Sequence, residues 1–221
     1  MKVLNTEAKV FWTADPDEVV PLRGLAPHDL IGVLQQHFGF LRGPTTLPAP
    51  GKGYDFEQGR FAGPDGQIII KILTVFMDGM SVEVSSNTDD ALFIVYQALQ
   101  IGKQLGVRDP ITQPTILLQS TAMFMFDNPL SNILRNRDET LGLVEGAIQL
   151  QFPSHHELNS LAFSVDPLTL PQKIGNINPT IFRIDRRASF PYSENRFASF
   201  ANTSTQNHIH LLENFEKLLS N

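Results

Sequence analysis

The stretch that most constrains the fold is 54–86, YDFEQGRFAGPDGQIIIKILTVFMDGMSVEVSS. Three strand-length segments, 54–62, 67–78 and 81–86, are separated by GPDG and DGM. Asp-Gly is hairpin chemistry, because glycine reaches positive φ without steric cost, so the stretch predicts a three-stranded β-meander. A meander with one apolar face needs a cover. Residues 87–106, NTDDALFIVYQALQIGKQLG, offer one as a helix. Asn87 or Thr88 caps it, Asp89 and Asp90 complement the positive helix start, and Gly106 ends it. Leu92, Val95, Tyr96 and Leu99 form its expected apolar face.

The remaining elements follow from the same signals. Residues 8–13, AKVFWT, read as a short strand, and 15–24 as a turn. Residues 26–41 read as a helix, with Pro27 at its first position, Asp29 in its first turn and Leu30, Val33, Leu34 and Phe38 as its stripe. Residues 42–53, with three Pro and three Gly, form a loop or linker. A long apolar strand is expected over 114–127, a weaker helix over 128–148, strands at 147–152 and 158–165, and a loop over 166–179. Residues 180–190 and 195–202 pair as a hairpin around PYSE, and 204–221 closes the chain as a helix with Leu211, Leu212, Phe215, Leu218 and Leu219 inward.

These elements predict an α+β protein of one or two mostly antiparallel sheets, each covered on one face by helices. A mixed sheet with a parallel pair around 115–126 is the alternative. The expected organisation is a strand–helix segment 1–41, the linker 42–53, a meander–helix unit 54–127 and a second helix–hairpin–helix unit 128–221, packed as one body. Strands run into SSNTDD and a helix near 86, and into ANTSTQN and a helix near 202. An old duplication giving two similar lobes accounts for this, and so, more simply, does the general preference of Ser, Thr and Asn for helix starts.

Composition narrows function. The net charge of −6 argues against a whole-domain nucleic-acid footprint, which needs a basic surplus. The absence of cysteine removes disulfides, zinc–thiolate sites, iron–sulfur clusters and a Cys nucleophile. Sixteen Phe against three Tyr and one Trp fit core packing better than surface recognition. The start, MKVLNTEAKVFW, has no apolar signal region, and no run approaches the length of a membrane span. A soluble, cytoplasmic protein is expected.

Four of the seventeen basic residues fall in 182–197, FRIDRRASFPYSENRF. In a strand, Ile181, Arg183, Asp185 and Arg187 share one face, and Phe182, Ile184, Arg186, Ala188 and Phe190 share the other. Asp185 between two Arg makes a self-paired ladder. Arg186 stands on the apolar face and must reach the edge, a carbonyl or a carboxylate such as Glu194 or Glu213. Arg186, with Arg183 and Arg187, is the candidate anion-binding group, since a guanidinium fork suits phosphate or carboxylate. Salt-dependent nucleic-acid binding by the same strand ranks last.

Other motifs are weaker. His155, His156 and Glu157 are adjacent but lack zincin spacing, and His208 and His210 lie two apart at a helix start; these histidines are expected at the surface or in caps, with no metal site. Gly51-Lys52-Gly53 lacks the spacing of a phosphate loop. Asp89 and Asp90 read as helix-start acids, and Asp138 and Glu139 beside Arg135 and Arg137 as a solvated face. With no compact catalytic constellation, the leading expectation is a non-enzymatic interaction or assembly subunit with a protein partner or self-association and no cofactor. An enzyme or sensor that binds an anion through Arg186 is the alternative.

Overall fold

The computed structural model describes residues 1–21, 27–46, 48–49, 52–134, 138, 158–164 and 180–220. It divides into two units. The first comprises Thr6–Ser120 with Thr203–Thr205, and the second Met1–Asn5, Thr121–Asn202 and Gln206–Asn221. The strand pairings among the described residues are antiparallel, and the fold is α+β.

In the first unit, β1 (Lys2–Thr13, from Thr6 onward) enters the sheet and is followed by α1 (Pro16–Val19) and α2 (Pro27–His37). The predicted meander then appears as β2 (Tyr54–Gly63), β3 (Gly66–Val75) and β4 (Gly79–Val84), and α3 (Thr88–Gln104) follows. The strand order is β2-β3-β4-β1. The two Asp-Gly glycines serve different ends. Gly66 takes φ +136°, as a tight turn demands, with Gly63 paired to Gly66 across it. Gly79 is needed for closeness instead: a Cβ there would run into the backbone carbonyl of Trp12 on β1.

The α3 start matches expectation, with the Asn87 carboxamide accepting from the Asp89 and Asp90 N–H groups, both at 2.9 Å. Its buried face matches in part: Val95 is buried, and Leu92 and Leu99 pack against the core. Ala91, Ile94, Val95, Ala98 and Ile101 point inward, while Tyr96 is 50% exposed. The sequence stripe followed large apolar residues only. The true face uses two alanines, whose small side chains let α3 approach β4, and so lies about one residue out of phase. Leu34 of α2 and Phe38, just past its end, are buried as expected, and Val33, also expected inward, is exposed. Phe38, Phe40, Phe56 and Phe61 pack ring to ring in the core of this unit.

In the second unit, β5 (Thr115–Met125, from Thr121 onward) lies beside β8 (Arg196–Ala201), then β7 (Thr180–Arg186) and β6 (Ser160–Ser164). The hairpin of β7 and β8 keeps Phe182 opposite Ala201 and Arg186 opposite Phe197. The last helix, α4 (Thr205–Leu219), buries Leu212 and Leu219. Leu218, expected inward, is 57% exposed, because neighbouring helix positions diverge by about 100°. Phe124, Phe126 and Phe197 cluster in this core, and Phe215 of α4 stacks on Phe182 at 5.3 Å. The expected helix over 128–148 is described only over 128–134, where Leu130–Ile133 form a 3-10 turn, and at 138. The expected strand at 147–152 lies outside the described residues.

Candidate functional site

Alternation along β7 places Phe182, Ile184 and Arg186 inward and Ile181 and Arg183 outward. Outside, Arg183 Nε lies 2.6 Å from Asp185 Oδ2, and the Ser160 hydroxyl donates to Asp185 at 2.7 Å. Arg187 is exposed just past the strand end, and its backbone N–H donates to the Arg196 carbonyl. Inside, Arg186 is 7% exposed. Its guanidinium lies over the rings of Tyr192 (4.5 Å) and Phe197 (4.8 Å) and donates to the Tyr192 carbonyl at 3.2 Å. Arg196 repeats the device: it lies over Phe190 at 4.2 Å and reaches Glu194 at 2.7 Å. The basic stretch therefore holds its own turn. Arg183, Arg186 and Arg187 do not converge, since Arg186 faces the interior and Arg183 the opposite side of the strand. Of the two carboxylates expected near Arg186, Glu194 is paired with Arg196, and Glu213 lies 3.7 Å from His210.

The expectation that the histidines lie at the surface fails at His208. It is fully buried on α4, edge-on to Phe182, with Nε2 2.9 Å from the Ser199 hydroxyl. A register that brings the start of α4 over β8 causes this, and no local sequence signal marks it. The Ser199 hydroxyl donates to the Arg183 carbonyl at 2.7 Å, which can only accept. Ser199 must therefore accept from His208, so Nε2 carries the hydrogen. In that state the imidazole cannot take a proton from Ser199, and Ser199 is 2% exposed. The pair is thus a buried bridge and not a nucleophile with its base. Burial pushes the His208 pKa down to about 4, so the ring is neutral at neutral pH. His210, by contrast, is exposed.

His155, His156 and Glu157 lie outside the described residues, as do Gly51, Arg135, Arg137 and Glu139. Among the described residues, no three His, Asp or Glu side chains group as a metal site. No described helix is long and apolar enough to cross a membrane.

One arrangement escaped the sequence reading. The loop after α3 is fixed to α1 by charged side chains that bind backbone. Glu18 Oε2 accepts from the Ile111 N–H (2.8 Å), the Thr112 N–H (2.9 Å) and the Thr112 hydroxyl (3.0 Å). The Thr112 N–H above all, helped by the other two donors, holds the Glu18 carboxyl below its ordinary pKa. In return Arg108 donates to the Asp17 and Val20 carbonyls at 2.8 and 2.9 Å. Lys103 meets Asp109 at 2.7 Å. The loop so held walls a cleft of about 250 Å³ with Trp12, Tyr96 and Leu99. Its tip residue, Ile111, is 88% exposed. The one sequence signal is the lack of any ionisable residue from 110 to 126.

No family model matches the chain, and no curated protein matches its sequence.

Proposed function

We propose that the protein is a non-enzymatic interaction or assembly subunit whose docking element is the 108–114 loop. The observation that carries this is Ile111, 88% exposed on a loop that gives two backbone N–H groups and the Thr112 hydroxyl to one carboxylate. Burying this large apolar side chain in a partner contributes about 2 kcal/mol. A loop already ordered loses little entropy on binding. The candidate polar groups, Arg183, Arg186 and His208, engage their own chain instead.

The reading extends to architecture, where two similar lobes are inferred. Supporting this, each unit runs through a strand, a three-stranded meander and a helix: β1, β2–β4 and α3 in one, β5, β6–β8 and α4 in the other. The orders β2-β3-β4-β1 and β6-β7-β8-β5 correspond strand for strand.

The test is native mass, for the wild type and Ile111→Asp, each alone and after incubation with extract of the source cells. A species present with the wild type and lost in the variant supports the proposal. Two identical monomers that retain nothing refute it.

A further inference from the structure

We propose that β6 is a self-pairing edge, along which two copies of this chain join strand to strand about a twofold axis at Ala162. The contact is separate from the 108–114 loop and lies wholly within the second unit. The backbone carries the first part of the argument. β6 ends the strand order, and among the described residues no strand pairs with its outer side. Its ladder with β7 sets the direction of each polar group. The Arg186 N–H donates to the Asn159 carbonyl at 2.8 Å, which makes that pair hydrogen-bonded. Antiparallel pairs alternate, so Leu161 and Phe163 turn their backbone groups toward Ile184 and Phe182, while Ser160 and Ala162 turn theirs away from β7. Ala162 is exposed, which leaves that side open. The outer strand of the first unit, β2, is closed by contrast. There the Leu41 and Arg42 N–H groups donate to the Gln58 and Glu57 carbonyls, and the Glu57 and Arg60 N–H groups to those of Arg42 and Phe38. Among the described residues β6 has no such cover, and it carries no charge and no proline, the devices that keep an edge from pairing.

The side chains select the occupant. An isologous contact requires a self-complementary patch. The strand reads Ser-Leu-Ala-Phe-Ser, the same polar–apolar–small–apolar–polar pattern in both directions. Laid antiparallel on itself about Ala162, it puts Leu161 of each copy opposite Phe163 of the other. The outward N–H and carbonyl of Ala162 then exchange hydrogen bonds with those of the second Ala162. Leu161 and Phe163 become a non-hydrogen-bonded pair, the kind in which side chains approach most closely. Their side chains share the inward face of Ile184 and Phe182, their partners on β7. The Phe163 ring lies 6.1 Å from that of Phe182 and is still 48% exposed. The leucine of the second copy covers it and so continues the apolar row of this unit past its edge. Any extended segment could satisfy the backbone; this strand also matches itself side chain for side chain.

Sedimentation of the purified full chain over a wide concentration series tests this, with circular dichroism to verify the fold of each variant. The expected result for the wild type is a reversible monomer–dimer equilibrium. Ala162→Pro removes an N–H that the ladder with β7 does not use, and an edge strand tolerates proline there. The change occurs twice in a dimer, so two hydrogen bonds are lost and the dissociation constant is expected to rise about tenfold or more. Ala162→Lys and Ala162→Glu each set like charges opposite one another on the axis and are expected to weaken the dimer, while an equimolar mixture of the two recovers it as a heterodimer. Ile111→Asp is expected to leave the equilibrium unchanged. A wild type monomeric at every concentration overturns the proposal, and so does a dimer indifferent to Ala162→Pro or a charged mixture that recovers nothing. A dimer lost in Ile111→Asp but kept in Ala162→Pro also overturns it and moves self-association to the 108–114 loop. A monomer that captures another protein, and loses it in Ala162→Pro, puts a different strand on this edge and overturns the twofold pairing.

Discussion

Lowering the pH from 7.5 to 5 should destabilise the protein through His208 alone by about 2 kcal/mol. The folded state holds this imidazole at a pKa of about 4, against 6.5 for the free side chain, because burial penalises its charged form. The unfolded chain therefore binds a proton that the folded one refuses. Stability is fully present above pH 6.5 and is lost as the pH falls toward 4. One pKa unit corresponds to about 1.4 kcal/mol, so the complete loss below pH 4 is about 3 kcal/mol, and linkage at pH 5 gives about 2. Surface carboxylates also respond to acid, so the assay must isolate the one ring. Urea unfolding of the wild type and His208→Gln at the two pH values does this. Glutamine keeps an N–H donor for Ser199 but does not titrate. The variant is expected to start less stable at pH 7.5 and to lose about 2 kcal/mol less than the wild type on acidification. Equal losses in the two proteins would refute the reasoning. So would an NMR titration of the folded protein that places His208 near 6.5.

Arg186→Ala removes two ring contacts and one hydrogen bond to the Tyr192 carbonyl, which keeps the Asn195 N–H, and should cost about 2 kcal/mol in urea unfolding, whereas Arg183→Ala, which breaks a half-exposed pair, should cost under about 1 kcal/mol. Similar values for the two would contradict the buried role of Arg186. Thr88→Val deletes the hydroxyl that accepts from the buried Thr205 N–H at 3.0 Å and should cost about 1–3 kcal/mol, with Thr88→Ser restoring most of it. A valine variant as stable as the wild type would show that this bond contributes nothing.

The meander was legible because its signals are local: Asp65-Gly66 and Asp78-Gly79 mark turns whatever the rest of the chain does. The opposite placement of Arg183 and Arg186 was legible for the same reason, since strand alternation needs only the strand to exist. Tyr96 misled because its size suggested a core, while the inward row is set by the alanines that let α3 approach β4. His208 was illegible in principle. Whether the fourth residue of a helix lies under Ser199 or in water depends on pairing between residues far apart in sequence.

The loop at 108–114 was missed for a further reason. A search for charge chemistry looks for charges that face one another or a ligand. Here the informative charges face backbone. Glu18 collects two N–H groups, Arg108 holds two carbonyls and Arg186 holds a third. Irregular backbone lacks the ladder that satisfies strands and helices, so its polar groups need side-chain partners if it is to stay in one shape. A charged side chain suits the task because its hydrogen bonds are stronger than neutral ones. The cost falls on recognition: each such charge is committed internally, and what residues 110–114 have left to offer a partner is uncharged. That is why a chain with seventeen basic residues is argued to dock through an isoleucine.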